Sequence, residues 1–185
     1  WYRTNKMTQG DPNANPGYIL RRVKILQELC YEGEKMNQVE IYTDGACSGN
    51  PGKGGWGAIV IDDNGDTTKI SGFAPYTTNN RMEMCAVISA LKTLKHPSKV
   101  NLYSDSAYIV NTINQNWIKK WQQNHWYTSS KKPVQNKDLW EELSALLKYH
   151  DVKFVKVKGH SDIELNNECD FLARQAITEG GVKCL

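Results

Sequence analysis

The sequence predicts an α/β fold in which one five-stranded mixed sheet carries helices on both faces. Three strand-like segments follow one another after residue 38, and helix-like and strand-like segments then alternate to the C-terminus. The 185 residues are about the size of one ordinary domain, and a hydrophobic content of 39% is sufficient for a core. We therefore expect a single sheet with the element order βββαβα(αα)βα.

The three consecutive strands are expected at residues 39–43, 56–62 and 67–73. The first is rich in β-formers and ends at Asp44-Gly45, where turn-forming residues begin. The other two flank Asn64-Gly65, which is a strong hairpin signal. These three strands should therefore be antiparallel.

The rest of this region alternates between helical and extended patterns. Ala86, Val87 and Ala90 belong to an apolar stripe at helical spacing, which Asn79 or Asn80 can cap and Pro97 stops. Alternation of apolar residues with lysines is typical of a strand near a sheet edge. Four helices are expected: one at 79–95, one that begins after Ser104 or Ser106, one at 138–149 and one at 164–177. Two strands are expected at 100–103 and 152–157, and the second of these should lie near the edge of the sheet.

Residues 1–36 differ from the domain expected at 37–180. Residues 7–17 have turn and loop chemistry, and residues 18–31 place apolar side chains at helical spacing, which predicts an amphipathic helix docked on the main domain or on a partner. The sequence Glu-Gly-Glu-Lys before Met36 can be encoded by a purine-rich stretch resembling a bacterial ribosome-binding site. Under that hypothesis Met36 is the natural start, and the preceding residues are a translated leader or an added sequence.

Composition favours a monomer in a reducing, cytoplasmic setting, without a membrane segment or an obligate protein partner. The five cysteines are an odd number and contain no CxxC pair or histidine cluster, which argues against a disulfide framework and a zinc site. The N-terminus has no uninterrupted apolar run of the signal-peptide type, and no run of eighteen apolar residues occurs anywhere.

Four carboxylates, Asp44, Glu83, Asp105 and Asp170, stand where a strand should end or a helix begin. Asp44 and Asp105 are expected at strand ends, Glu83 in the first turn of a helix and Asp170 within the last helix. A single acid of this kind is more often a helix cap or a solvated turn residue. If strands one and four are neighbours, however, their carboxyl ends place Asp44 beside Asp105. An oxygen-only cluster suits Mg²⁺ or Mn²⁺, and two such ions about 4 Å apart suit phosphodiester hydrolysis.

Positive charge is concentrated between Trp117 and Lys137, a segment with five lysines and no acid. Three tryptophans, Trp117, Trp121 and Trp126, are spaced by four and five residues in it. Packing of a short helix against the domain is one explanation for them, and it is favoured for Trp121. Nucleic-acid binding is the other.

Five motifs occur in a fixed order along the chain. They are Ile-Tyr-Thr-Asp-Gly-Ala-Cys-Ser-Gly-Asn-Pro-Gly at 41–52, Thr-Thr-Asn-Asn-Arg-Met-Glu at 77–83, Tyr-Ser-Asp-Ser at 103–106, Val-Lys-Gly-His at 157–160 and Asn-Asn-Glu-Cys-Asp-Phe-Leu-Ala-Arg at 166–174. Together they resemble bacterial-type ribonuclease H1 over residues 39–177. The resemblance implies a ribonuclease H-like fold, with three antiparallel strands followed by two parallel ones.

The resemblance also implies a reaction, namely sequence-nonspecific endonucleolytic cleavage of the RNA strand in an RNA–DNA hybrid, leaving 5′-phosphate and 3′-hydroxyl ends. Two Mg²⁺ ions, replaceable by Mn²⁺, serve as cofactors in that scheme. Asp44 and Asp170 hold the ion that activates water, whereas Asp44, Glu83 and Asp105 hold the ion that stabilises the leaving oxygen. His160 is implied as the catalytic histidine, and a glycine-containing loop after a strand is a suitable place for a mobile proton-transfer group.

Substrate contacts follow from two further parts of the resemblance. The glycine-rich turn with Cys47 and Asn50, and the helix start with Thr78, Asn79 and Asn80, are implied to face the minor groove, where 2′-hydroxyls distinguish RNA from DNA. The segment 117–137 resembles the family's basic handle, in which Trp117, Lys119, Lys120, Lys131 and Lys132 would grip the DNA strand. The handle reads Gln-Gln-Asn at 122–124, which is less basic than is common, and Ala107 replaces a frequent glutamine.

Two other interpretations remain. A non-catalytic nucleic-acid-binding module could keep the same fold. The clustered carboxylates argue against it, because they would repel phosphate and a protein that only binds has no use for them. The chain could instead be the nuclease domain of a longer reverse transcriptase or mobile-element polyprotein, and residues 1–36 keep that interpretation open.

Overall fold

The computed structural model describes residues 36–159 and 163–180. The strands are β1 (Asn37–Gly49), β2 (Gly52–Ile61), β3 (Thr67–Thr77), β4 (Ser98–Ser104) and β5 (Asp151–Lys156). The helices are α1 (Asn79–Thr93), α2 (Ala107–Asn114), α3 (Trp117–Gln123), α4 (Lys137–Tyr149) and α5 (Glu164–Glu179). This order agrees with the one that the sequence predicts, whereas the helix expected at 18–31 lies outside the described residues.

The five strands form one mixed sheet in the order β3-β2-β1-β4-β5. The pairs β1–β2 and β2–β3 are antiparallel, and the pairs β1–β4 and β4–β5 are parallel. The predicted fold class, three antiparallel strands followed by two parallel ones, is therefore confirmed. The strand predicted near a sheet edge is β5, which has β4 as its one neighbour in this sheet.

The hairpin between β2 and β3 turns at Asn64-Gly65, as predicted. Gly65 has a φ of 85°, which favours glycine. The Asp62 carboxylate accepts hydrogen bonds from the backbone nitrogens of Asn64 (2.9 Å) and Asp66 (3.0 Å). A short polar side chain thus holds the turn, and with it the register of the two strands.

The prediction that the first strand ends at Asp44 is wrong. β1 continues to Gly49, because its second half pairs with β2 as far as the turn at residues 50–51, where Gly49 faces Gly52. Its parallel pairing with β4, however, stops where Thr43 faces Ser104. Asp44 therefore still lies at the carboxyl end of the parallel ladder, beside the end of β4.

Helices cover both faces of the sheet. A Cβ placed on Gly54 would contact the side chain of Met82 in α1, whereas a Cβ on Gly55 would contact the backbone of Ala173 in α5. Because successive residues of a strand point to opposite faces, α1 and α5 pack on opposite sides of β2. The small strand residues let both helices approach closely.

Helix α1 is largely buried, and its predicted cap is corrected. The N-cap is Thr78, which has extended backbone angles and makes no side-chain cap bond, rather than Asn79 or Asn80. Asn79 already has helical geometry, and its amide points to Glu83 instead. Nine α1 residues are buried: Met82, Glu83, Met84, Cys85, Ala86, Val87, Ile88, Ala90 and Leu91.

None of the helices in residues 36–159 and 163–180 has the length and apolarity that crossing a bilayer requires.

Candidate active site

Three carboxylates meet at the carboxyl end of the parallel strands. Asp44 lies one residue beyond the last parallel pair of β1, and Asp105 directly follows β4. Glu83 reaches the same place from the second turn of α1, rather than from the first turn as predicted, because the helix begins at Asn79. One oxygen of each side chain lies within 4.8 Å of the others. This spacing allows a single hard cation to contact all three.

The fourth predicted acid, Asp170, lines the same cleft from α5 but does not belong to the three-carboxylate cluster. Both of its carboxylate oxygens accept hydrogen bonds from Nε of Arg174, at 2.8 and 2.9 Å. Arg174 was not among the residues predicted from the sequence. The signal for this contact was present, because residues four apart on a helix are neighbours on its surface.

The cleft that these acids line has a volume of about 600 Å³ and is open to solvent. Residues 44–48 of β1 and, from α5, Ile177 and Thr178 also line it. The structure thus brings four acids that are distant in sequence to one place.

The buried acids repel one another. Burial, followed by the negative charge of Asp105, raises the pKa of Asp44 to about 7. Burial, followed by Asp44 and Asp105, raises the pKa of Glu83 well above its usual value. Asp44 is 7% exposed and Glu83 is 5% exposed, so water solvates their charges poorly. A bound cation would relieve this repulsion.

The cluster fits a hard divalent metal ion. Its ligands are carboxylate oxygens, which Mg²⁺ and Mn²⁺ prefer over softer donors. Oε1 of Glu83 accepts a hydrogen bond from Nδ2 of Asn79 at 3.3 Å. Oε2 of Glu83 is buried and has no hydrogen-bond partner among the described residues. An acceptor of this kind is costly unless a donor or a cation reaches it.

Gly159, in the segment that follows β5, lies against Asp105. A Cβ at this position would overlap Oδ2 of Asp105. A side chain at this position would therefore displace the Asp105 carboxylate. His160 follows it directly in the sequence and lies outside the described residues.

The residues predicted to contact the minor groove surround the start of α1. Asn79 and Cys47 line the cleft together with the acids. The backbone nitrogen of Asn79 donates to Oδ1 of Asn50 at 3.2 Å, which connects the turn after β1 to α1. Thr78 is the N-cap and Asn80 is exposed, and neither lines the cleft.

The basic handle, residues 117–137, contains a second cleft of about 520 Å³. Trp117, which is 37% exposed, and Lys120 line it, as does Tyr127, which was not predicted from the sequence. Lys119, Lys131 and Lys132 are exposed on the handle outside this cleft.

The tryptophans of the handle also anchor it to the domain. The ring of Trp121 packs edge-on against the fully buried Trp140 of α4, with 5.7 Å between ring centroids, and contacts Trp117 at 6.0 Å. The packing explanation that the sequence favoured for Trp121 therefore agrees with the structure. Trp126 lies 5.9 Å from the ammonium of Lys137, a cation–π distance.

Comparison with known proteins places this arrangement in a family. A model of the RNase H family matches residues 36–178. The chain is 63% identical to the ribonuclease H of Chlorobaculum parvum over 142 residues, which cover 76% of this chain and 96% of the relative.

Two solved structures have the same fold. LC9-RNase H1, described as a type 1 RNase H with the type 2 active-site motif, superposes with a TM-score of 0.70 at 30% identity, covering 79% of this chain and 74% of that one. LC11-RNase H1 in complex with an RNA/DNA hybrid superposes with a TM-score of 0.59 at 26% identity, and the match covers 77% of this chain and 98% of that one.

The fold and the carboxylate cluster define a nuclease of the kind that works with a divalent metal at an all-oxygen site. The relatives are named for one such enzyme class, and the match extends over nearly their full length. The chain belongs to the ribonuclease H family and resembles its bacterial type 1 members.

Proposed function

We propose that the protein is an endonuclease that hydrolyses the RNA strand of RNA–DNA hybrids without sequence specificity and leaves 5′-phosphate and 3′-hydroxyl ends. The observation that carries this proposal is the cluster of Asp44, Glu83 and Asp105 in a cleft that also contains Asn79. Family membership and the hybrid bound to the relative LC11-RNase H1 support the choice of substrate.

Two Mg²⁺ ions are the proposed cofactors, with Mn²⁺ as a substitute. Glu83 and Asp105 would hold one ion, Asp170 would hold the other, and Asp44 would contribute to both. When bound, such ions make water a stronger nucleophile and stabilise the charge that develops on the leaving oxygen. The protein contributes fixed ligands: the Asp44 carboxylate is held by the backbone N–H of Gly45 at 2.7 Å, and the Glu83 carboxylate by Asn79.

Asn79 connects recognition with the metal ligands. Its side-chain amide donates to Glu83, its backbone nitrogen is held by Asn50, and it borders the cleft. Together with Thr78, Asn80 and Cys47, it would contact the sugar edges of the minor groove. A 2′-hydroxyl can both donate and accept there, whereas a deoxyribose can do neither, so these groups would select the RNA strand.

The handle would hold the DNA strand. Lys119, Lys120, Lys131 and Lys132 would neutralise phosphates, and Trp117 offers an exposed aromatic face. Lys137 is paired with Glu141 at 3.6 Å and lies near Trp126, so it is less available to phosphate. His160 would move a proton beside the scissile phosphate, a role that suits an imidazole near neutral pH.

We also propose that residues 37–180 form the nuclease domain, preceded by the extension 1–36, and that the protein works as a cytoplasmic monomer. The match of the family model to residues 36–178 supports the boundary. Cys47 and Cys169 are free thiols, which suits a reducing compartment. We expect a chain that starts at Met36 to retain hybrid cleavage and to elute as a monomer in size-exclusion chromatography.

Strand-specific labelling tests the proposed function. The protein is incubated with Mg²⁺ and duplexes of one sequence in three forms: RNA–DNA with either strand labelled, RNA–RNA and DNA–DNA. We expect cleavage of the RNA strand in the hybrid, with products that a ligase can rejoin because they carry 5′-phosphate and 3′-hydroxyl ends. Equal cleavage of RNA–RNA, or cleavage of the DNA strand, would contradict the assignment.

A further inference from the structure

Arg174 holds the one predicted metal ligand that stands apart from the three-carboxylate cluster. Its Nε donates to both oxygens of Asp170, at 2.8 and 2.9 Å, across one turn of α5. The Asp170 side chain is 22% exposed, whereas that of Arg174 is 64% exposed. The acid is thus fixed in the cleft wall, while the guanidinium can exchange its partner for solvent or for another anion.

Arg174 is also the one cationic side chain among the described residues that line the cleft, which has four acids. The negative charge of Asp170 raises the pKa of Asp44, whereas the positive charge of Arg174 lowers it. In the absence of a metal ion, Arg174 therefore provides the positive charge that the acids need.

We propose that Arg174 is a positioning residue that serves as the counter-ion of Asp170 in the metal-free protein and competes with a divalent cation for that carboxylate. This inference rests on the proposed metal site. A carboxylate has about four lone-pair positions, and the guanidinium contact at both oxygens leaves fewer of them to a metal ion. The positive charge also repels an incoming cation. Metal binding at Asp170 thus requires Arg174 to give up part of its contact.

An ordinary surface ion pair would behave differently. A solvent-exposed pair four residues apart on a helix stabilises the helix slightly and has no effect on a metal site. The affinity for a divalent metal, measured without nucleic acid, therefore separates the two roles, since a merely structural contact would not change it.

The experiment measures Mn²⁺ affinity by isothermal titration calorimetry in the absence of hybrid, for wild type, Arg174→Gln and Arg174→Lys. We expect Arg174→Gln to bind Mn²⁺ about three- to tenfold more tightly, as expected for removal of one positive charge beside a divalent ion. Arg174→Lys keeps the charge and should bind within about twofold of wild type, on the same electrostatic grounds. Circular dichroism verifies that each variant is folded.

Lys92→Gln is the matched control, because it also removes one cation and one ion pair, with Glu142, but does not line the cleft. It should leave the Mn²⁺ affinity unchanged. Equal or weaker binding by Arg174→Gln, or an equal gain in Lys92→Gln, would overturn the role of Arg174. Absence of Mn²⁺ binding in every variant would instead contradict the metal site itself, and with it this inference.

Discussion

Gly45 lies directly against the backbone nitrogen of Glu83, so that β1 and α1 touch without a side chain between them. A Cβ at position 45 would come closer than 3.0 Å to backbone atoms of Met82 and Glu83. Because the obstructing atoms are backbone, no rotamer change could relieve the overlap. This close approach is what brings the Glu83 carboxylate beside Asp44.

Gly45→Ala should therefore weaken both the fold and the site. Overpacking of this kind costs about 1–3 kcal/mol of unfolding free energy. We also expect a lower kcat, since α1 must move and carry Glu83 away from Asp44. Gly65→Asn is the control: a Cβ there meets no atom within 4 Å, and asparagine tolerates its positive φ. Thermal unfolding and hybrid cleavage are measured, and a Gly45→Ala protein equal to wild type in both would contradict this role.

Asp44→Asn should stabilise the protein when divalent ions are absent. The pKa of Asp44 is about 7 in the folded protein, whereas its ordinary value, which applies to the unfolded chain, is 3.8. The stability that this carboxyl group contributes is therefore fully present below pH 3.8 and is lost as the pH rises through 7. Asparagine removes the charge and keeps the oxygen that accepts from Gly45. Near pH 8, in a chelator, the variant should melt about 5 °C higher than wild type. An advantage that persists undiminished at about pH 4, where Asp44 is protonated, would contradict the electrostatic cause.

His150 should make stability depend on pH in the opposite direction. It is 4% exposed, its Nδ1 has no hydrogen-bond partner in the described part of the chain, and burial lowers its pKa below 6.5. The unfolded chain therefore binds a proton more readily, and the stability due to this group is full above about pH 6.5 and is lost as the pH falls through the lowered pKa.

His150→Phe removes this titration and retains an aromatic ring against Tyr149, whose centroid lies 4.8 Å away. The melting temperature of the variant minus that of wild type should be a larger number at about pH 5.5 than at about pH 7.5. A difference that is equal at both pH values would exclude His150 as a source of pH dependence.

Alanine substitution of all four handle lysines, Lys119, Lys120, Lys131 and Lys132, should raise KM far more than it lowers kcat. Removing one phosphate-binding lysine should make the salt dependence of hybrid binding shallower by about 0.7 to 0.9 in a log–log plot, and removing all four should do so by about three units. An equal fall in kcat would contradict a role confined to binding.

The matched control replaces four other exposed lysines, which line neither cleft: Lys95, Lys99, Lys148 and Lys153. It changes the net charge by the same amount. We expect a much smaller change in KM and salt dependence, because steering by net charge alone is weaker than direct phosphate contact. Equal effects of the two sets would mean that the handle has no specific function.

Much of the fold could be predicted because local patterns determine it. Asn64-Gly65 predicted a hairpin that the structure contains, and helical spacing predicted α1, α4 and α5. The end of β1 could not be predicted, because residues 45–49 have small side chains and their pairing with β2 depends on backbone hydrogen bonds. The N-cap was also assigned wrongly, since Asn79 points to Glu83 instead of closing the helix.

The site was predicted less completely than the fold. The four acids could be named from their motifs, and the four-residue spacing of Asp170 and Arg174 was compatible with a pair, but the sequence could not show that Asp170 stands apart from the other three acids. The close approach of Gly159 to the Asp105 carboxylate was equally hidden, because the two residues are 54 positions apart. Such features depend on distances between elements, which local periodicity does not determine.

The single-turnover rate of RNA-strand cleavage in a hybrid, measured for wild type and Asp44→Asn with Mg²⁺ and with a chelator, tests the central claim most directly. Binding of the hybrid by both proteins serves as the control for folding. We predict cleavage by wild type that requires Mg²⁺, and a loss of about a thousandfold or more in Asp44→Asn, because several kcal/mol of transition-state stabilisation depend on the metal. Cleavage in the chelator, or an undiminished rate in a variant that still binds the hybrid, would contradict the account.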